Sequence, residues 1–179
     1  MSSSLAVRPS TTEYAPYYGR YISLVPEGDV LQTLSSQLEE TLSLLVSISE
    51  ARAGYRYATD KWSIKEVIGH VVDSERIFAY RVLRFARNDK APIEGFDQDE
   101  FARNSAFDER TLADLVEELD HVRRANLLLF RSLSAEALSR HGIASEVDVS
   151  VRALIYIIAG HERHHMEVLK TRYLSNDNL

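Results

Sequence analysis

Apolar residues recur every three or four positions through four long segments of this chain, a period that specifies amphipathic helices rather than strands. The first segment, from about Asp29 to Ala51, has the stripe Leu31, Leu34, Leu38, Leu42, Leu45 and Ile48. The second, Ser63 to Arg87, carries Ile64, Val67, Ile68, Val71, Phe78, Val82 and Phe85. The third, from Asp108 or Thr111 to Leu133, carries Leu112, Leu115, Leu119, Val122, Leu129 and Phe130. The fourth, Ser150 to Leu174, has a seam of Val151, Leu154, Ile158, His161, His165 and Val168. Four stripes of this kind bury one another as a bundle. Start signals agree with the periodicity. Ser63 and Glu66 form an S-x-x-E capping box with Trp62 at the staple position, and Asp29 with Gln32 resembles a second box. The expectation is an all-α four-helix bundle over residues 17–179, one domain, behind a disordered arm of residues 1–16.

The links differ in length. Arg52 to Trp62 is short, whereas Asn88 to Phe107 is long enough to cross the end of a bundle, so consecutive helices need not be antiparallel. Links of that length often cover functional sites. The third link, Ser134 to Val149, is read as a loop with one helical turn capped by Ser134, and no strand ladder is expected. Tyr14, Tyr17, Tyr18 and Tyr21 precede the first helix and are read as packing groups on the bundle flank or against a dimer mate, with substrate stacking as the minor option.

Composition removes several function classes. No stretch reaches the roughly 18 apolar residues that cross a membrane, and no secretory signal is read at the start. The net charge of −6 gives no support to a nucleic-acid partner. There are no cysteines, so a protein thiol cannot be nucleophile or metal ligand. The expected compartment is the cytoplasm.

The seam of the fourth segment carries the chemistry. His161 and His165 are four apart, so they share the apolar face and can grip one ion. Buried imidazoles need a partner, and a metal is the simplest one. His70, beside the apolar stripe of the second segment, is the candidate third ligand. His164 is the alternative to His165, or else lines the mouth of the site. His121 and His141 read as solvated. The string H-E-R-H-H also fits the H-E-x-x-H zinc-protease pattern, but only fourteen residues follow His165, and none is a suitable third ligand. A di-iron carboxylate site would need a second E-x-x-H, which is lacking. Glu162, one step off the seam, is expected in solvent or paired with Arg163. Asp73 could orient His70 or pair with Arg76. Asn126 could face the site, Phe96 and Asp97 could cap it, and Arg76 or Arg152 could hold an anionic thiol.

Several of these pieces together resemble the DinB/YfiT-like superfamily. They are Tyr21 to Asp29 (YISLVPEGD), Lys61 to His70 (KWSIKEVIGH), Gly95 to Asp99 (GFDQD) and His161 to His165 (HERHH). The likeness runs from about Tyr17 to Tyr173. It implies an up-down-down-up bundle with a long crossover between the second and third helices, one divalent metal held by His70, His161 and His165, and a homodimer. Members include thiol S-transferases using bacillithiol or mycothiol, a mycothiol-dependent maleylpyruvate isomerase, and proteins called metal-dependent hydrolases. Members whose fourth helix ends H-H-R-G-Q differ from this chain, which reads His164-His165-Met166-Glu167-Val168.

The expected function is therefore a metal-dependent transferase that activates an external low-molecular-weight thiol toward an electrophile. A hydrolase using a metal-bound water is the second reading, and a non-enzymatic metal-binding or small-molecule-binding bundle the third. Imidazole ligands suit zinc, nickel and iron alike.

Overall fold

The computed structural model describes residues 7–175. A short turn of helix, α1 (Gly19–Ile22), precedes the first long helix, α2 (Val30–Val46). A one-turn helix, α3 (Glu50–Ala53), leads to α4 (Ile64–Ala86). The crossover holds α5 (Gln98–Asn104), and α6 (Leu112–Arg131) follows. After the short α7 (Ala135–Leu138) come two strands, β1 (His141–Ala144) and β2 (Val147–Ser150), then α8 (Val151–Val168). The last turn widens into a π-helix over Leu169–Tyr173.

Side-chain caps set these boundaries. Ser63 accepts from Glu66 N and Glu66 returns the bond, completing the expected box. Asp29 caps α2 through Leu31 N. Thr111 rather than Asp108 caps α6, while Asp108 accepts from Ser63 Oγ at 2.5 Å. The first helix is shorter than its stripe predicts. It stops at Val46 because Ser49 caps a separate turn by accepting from Arg52 N.

Helices α2 and α4 each pack on both α6 and α8. Phe78 and His70 of α4 meet His161 and His165 of α8 in reverse order, so these helices are antiparallel. Helices α4 and α6 run parallel: the ends of both helices nearer their N-termini share one apolar cluster, and the ends nearer their C-termini share the other. The same test makes α2 antiparallel to α6 and parallel to α8. The order is up-down-down-up, and the link from α4 to α6 returns along the bundle.

The core is divided. One apolar cluster contains Val30, Leu34, Phe78, Val82, Phe85, Phe130 and the first half of α8. The other contains Leu45, Ile64, Ile68, Leu115, Leu119 and Met166. Buried Gln37, Thr41, His70, Ser74, Glu75, Arg123, His161 and Glu162 form a polar belt between the two.

Two expectations need correction. The third link contains a β-hairpin as well as the Ser134-capped turn. Its two-residue turn, Ser145-Glu146, has both residues at positive φ, the type I′ geometry usually signalled by Asn-Gly. Residues 7–16 of the expected arm are fixed. Arg8 donates to the carbonyls of Ile22 and Val25 at 2.6 Å, and Glu13 accepts from Ser150 Oγ and Arg152. Residues 1–6 of that arm, and residues 176–179 at the other end, lie outside the described residues. Among the described residues, no helix is long and apolar enough to cross a membrane.

Candidate metal centre

The capping box at Ser63 starts α4 in a fixed register and places His70 two turns in, on the face that meets α8. His161 and His165 come from one face of α8. Their three Nε2 atoms converge: His161 Nε2 lies 3.1 Å from that of His70 and 3.2 Å from that of His165. A metal bonded to imidazoles at about 2.05 Å holds tetrahedral nitrogens about 3.3 Å apart. The two spacings from His161 match that value, and all three donor atoms lie within 4.8 Å of one another. Without a cation, a neutral ring with its proton on Nε2 can donate to the neighbouring Nε2; with a cation, the Nε2 lone pairs of all three rings are free to face it. Protonation to the imidazolium is disfavoured: burial holds His70 at a pKa of about 4 and His165 at about 3, and burial, with the neighbouring rings, pushes His161 well below its ordinary value. The rings stay neutral, the form that ligates.

Aromatic groups frame the cluster. Tyr21 packs edge-on against His161, its ring centroid 5.3 Å away. Trp62, the staple residue, lies 4.8 Å from His70, and Phe78 lies 6.0 Å from His161. The approach of Tyr21 depends on Gly160, where a Cβ would sit 2.0 Å from the Tyr21 carbonyl oxygen. A cavity of about 260 Å³ opens beside His70 and His161, walled by Tyr17, Tyr18, Tyr21, Phe78, Phe96 and Arg81 among others. Three of the four N-terminal tyrosines, for which the sequence favoured flank packing over substrate stacking, therefore line the approach to the histidines.

Glu162 is the largest departure from the sequence reading. It is 1% exposed. Its carboxylate accepts from Arg123 at 2.6 Å, from Gln37 at 2.5 Å and from Thr41 at 2.7 Å. Arg123, wholly buried, also bonds both oxygens of Glu75 at 2.7 Å. The two carboxylates raise the Arg123 pKa against its burial. Helix α8 is buried on every side from Ala153 through Glu162, so a side chain one step off the seam still faces a neighbouring helix.

The remaining candidates divide. His164 is half-buried and in ring contact with Tyr21 and His165, but it lines a separate cavity with Gln37, Thr41 and Lys170 rather than the one beside His70 and His161. Asp73 is raised by burial and has Arg76 and Arg110 as its neighbouring cations; Ser74 rather than Asp73 approaches His70, at 3.5 Å. Asn126 donates to Glu75 at 3.1 Å and belongs to the buried ion network. Phe96 reaches the cavity wall, while Asp97 caps α5. Arg76 pairs with Glu118 and Arg152 with Glu13. His121 is exposed, and His141 pairs with Asp148 within the hairpin.

Arg81 was not singled out by the sequence. It is 1% exposed and donates to the Glu94 carbonyl at 3.3 Å and Ser145 Oγ at 3.0 Å. Among the described residues it has no carboxylate partner, and its Nε has no acceptor. The ring of Phe78 lies 5.6 Å from its guanidinium, a contact worth about 0.5–2 kcal/mol. Burying an unpaired ion costs several kcal/mol, so that contact does not offset the burial.

Comparisons with known proteins give the family and the fold. A protein of Oceanobacillus iheyensis named "Putative metal-dependent hydrolase OB0413" is 25% identical over 150 residues, covering 82% of this chain and 83% of that one. Among solved structures, YfiT from Bacillus subtilis, described as a probable metal-dependent hydrolase with an unusual four-helix bundle topology, superposes with a TM-score of 0.67. It shares 14% identity over 92% of both chains. The mycothiol-dependent maleylpyruvate isomerase superposes with a TM-score of 0.65 at 13% identity, over 76% of this chain and 58% of that one. These two show a shared fold. The family model of the DinB superfamily matches residues 33–169, a span that includes all three converging histidines, and the chain belongs to that superfamily.

Proposed function

We propose that His70, His161 and His165 hold one divalent ion, and that the protein is a metal-dependent enzyme which transfers an external thiol to a small electrophile. The observation that carries this reading is the convergence of three neutral Nε2 donors beside a cavity whose described lining contains no carboxylate. A divalent ion there supplies Lewis acidity, which favours the anionic form of an incoming thiol or water. A thiol is anionic once its proton is lost and needs no further base. A water nucleophile is usually assisted by a carboxylate or a further imidazole acting as base, and the described lining has neither beyond the two proposed ligands His70 and His161. The chain has no cysteine, so the thiol comes from outside.

The protein's own part is positioning and exclusion. Trp62, Tyr21 and Phe78 keep the three rings in place and shield them from bulk water. Tyr17, Tyr18 and Phe96 give the cavity apolar walls for an electrophile. The sulfur forms a bond to the electrophilic carbon, the leaving group departs with its electron pair, and the thiol proton passes to solvent. A homodimeric state is part of the same proposal and rests on the family resemblance, and the cytoplasm is its default compartment.

The names of the O. iheyensis protein and of YfiT favour hydrolysis as a second reading. The test is turnover of 1-chloro-2,4-dinitrobenzene and of 4-nitrophenyl acetate by zinc-, nickel- and iron-loaded protein, with and without mycothiol or bacillithiol. Release of chloride only when thiol is present is the expected result. Ester cleavage without thiol would replace transfer by hydrolysis, and tight metal binding with no turnover would leave a binding bundle.

A further inference from the structure

We propose that the cavity beside His70 and His161 selects a molecule bearing a carboxylate, and that Arg81 holds that end. This deepens the proposed function and rests on it only for the metal end of the cavity. Arg81 comes from α4, eleven residues after His70, and both residues line the same cavity with Ser74 and Phe78 between them. Its visible partners are neutral: the Glu94 carbonyl, the Ser145 hydroxyl and the Tyr18 hydroxyl. The other buried arginine, Arg123, is neutralised by two glutamates. The same fold therefore pairs one buried guanidinium fully and leaves the other, at the cavity wall, without a counter-ion.

An anion from outside completes that arrangement. Arg81 is the only formally charged side chain among the described lining residues, so its charge matches a monoanion, and a carboxylate suits the planar guanidinium. A bound molecule would then have two ends, its anionic group at Arg81 and its reacting group toward His70 and His161.

Ser145 offers a clean test. It stands in the hairpin turn at φ 53° with Oγ 3.0 Å from Arg81. Aspartate tolerates that backbone conformation, so Ser145→Asp supplies an internal carboxylate where the ligand's is proposed to lie. Calorimetric titrations would compare 3-mercaptopropanoate with 3-mercaptopropanamide, which differ in charge at one end. Cobalt-loaded and metal-stripped protein would both be used. The expected result is at least tenfold tighter binding of the carboxylate to the wild type in both forms. That preference falls to within about twofold in Arg81→Met and in Ser145→Asp, and Arg81→Lys retains part of it. Equal affinity for both probes in the wild type, or a preference that survives in Ser145→Asp, would overturn the assignment. A protein that fails to load cobalt refutes the metal reading instead, and the stripped protein still decides the role of Arg81.

Discussion

At the scale of single residues, the three histidines and the buried ion network have different jobs. Each ring at the cluster contributes one donor, so replacing His70, His161 or His165 by alanine should weaken divalent-metal affinity at least tenfold, or about 1.4 kcal/mol. His164→Ala should leave it within a fewfold. Competition with a chromogenic chelator measures all four. Retained affinity in His165→Ala with loss in His164→Ala would exchange their roles. The histidines were legible because they interrupt an apolar seam. Glu75 and Arg123 left a similar mark. Glu75 falls between Val71 and Phe78, and Arg123 between Leu119 and Leu127, each inside a stripe that buries its neighbours. A charged residue within a stripe announces a buried partner, and that signal went unread. Glu162 left none, because a helix buried all round has no polar side from which to infer exposure.

At the scale of elements, α8 owes its position to one small residue. Gly160 lets the turn Gly19–Ile22 lie against the helix backbone, which brings Tyr21 onto His161. Gly160→Ala should push that turn away and cost on the order of 1–3 kcal/mol, read as a lower urea midpoint with an unchanged m-value. A midpoint equal to the wild type would mean that α1 does not rest on α8. The hairpin between α7 and α8 was the element sequence reasoning missed. Its strands are four residues each, its turn lacks the usual Asn or Gly, and it is stabilised from outside. Ile93 in the crossover bridges Ala144, and Phe85 packs where Gly142 has no side chain. None of those partners is local, so no local pattern could report them.

At the scale of the whole molecule, a polar belt crosses the middle of an apolar bundle, and its protonation couples to folding. His70, His161 and His165 titrate near 6.5 when unfolded; burial lowers His70 to about 4 and His165 to about 3 in the folded protein and pushes His161 well below its ordinary value. As pH falls below about 6.5 the unfolded chain takes up protons that the folded one refuses, so stability falls with it. The loss continues until the folded values are reached and is on the order of 1 kcal/mol per pH unit for each ring. Carboxylates such as Asp97 and Asp114, held below their ordinary value by hydrogen bonds, contribute only at lower pH. Metal-stripped protein should therefore show a denaturation midpoint that drops steadily from pH 7 to pH 5. A midpoint flat across that window would show that the rings are not buried neutral.

The sequence by itself determined the four helices, their main caps and the two imidazoles on the last seam, because helical period and capping are local properties of neighbouring residues. The way the helices are joined, the convergence of His70 with His161 across 91 positions, and the partners of Glu162 and Arg81 were decided by the tertiary structure. Each depends on which helix faces which, and a side chain's surroundings are set by the neighbour it meets rather than by the residues beside it in the chain.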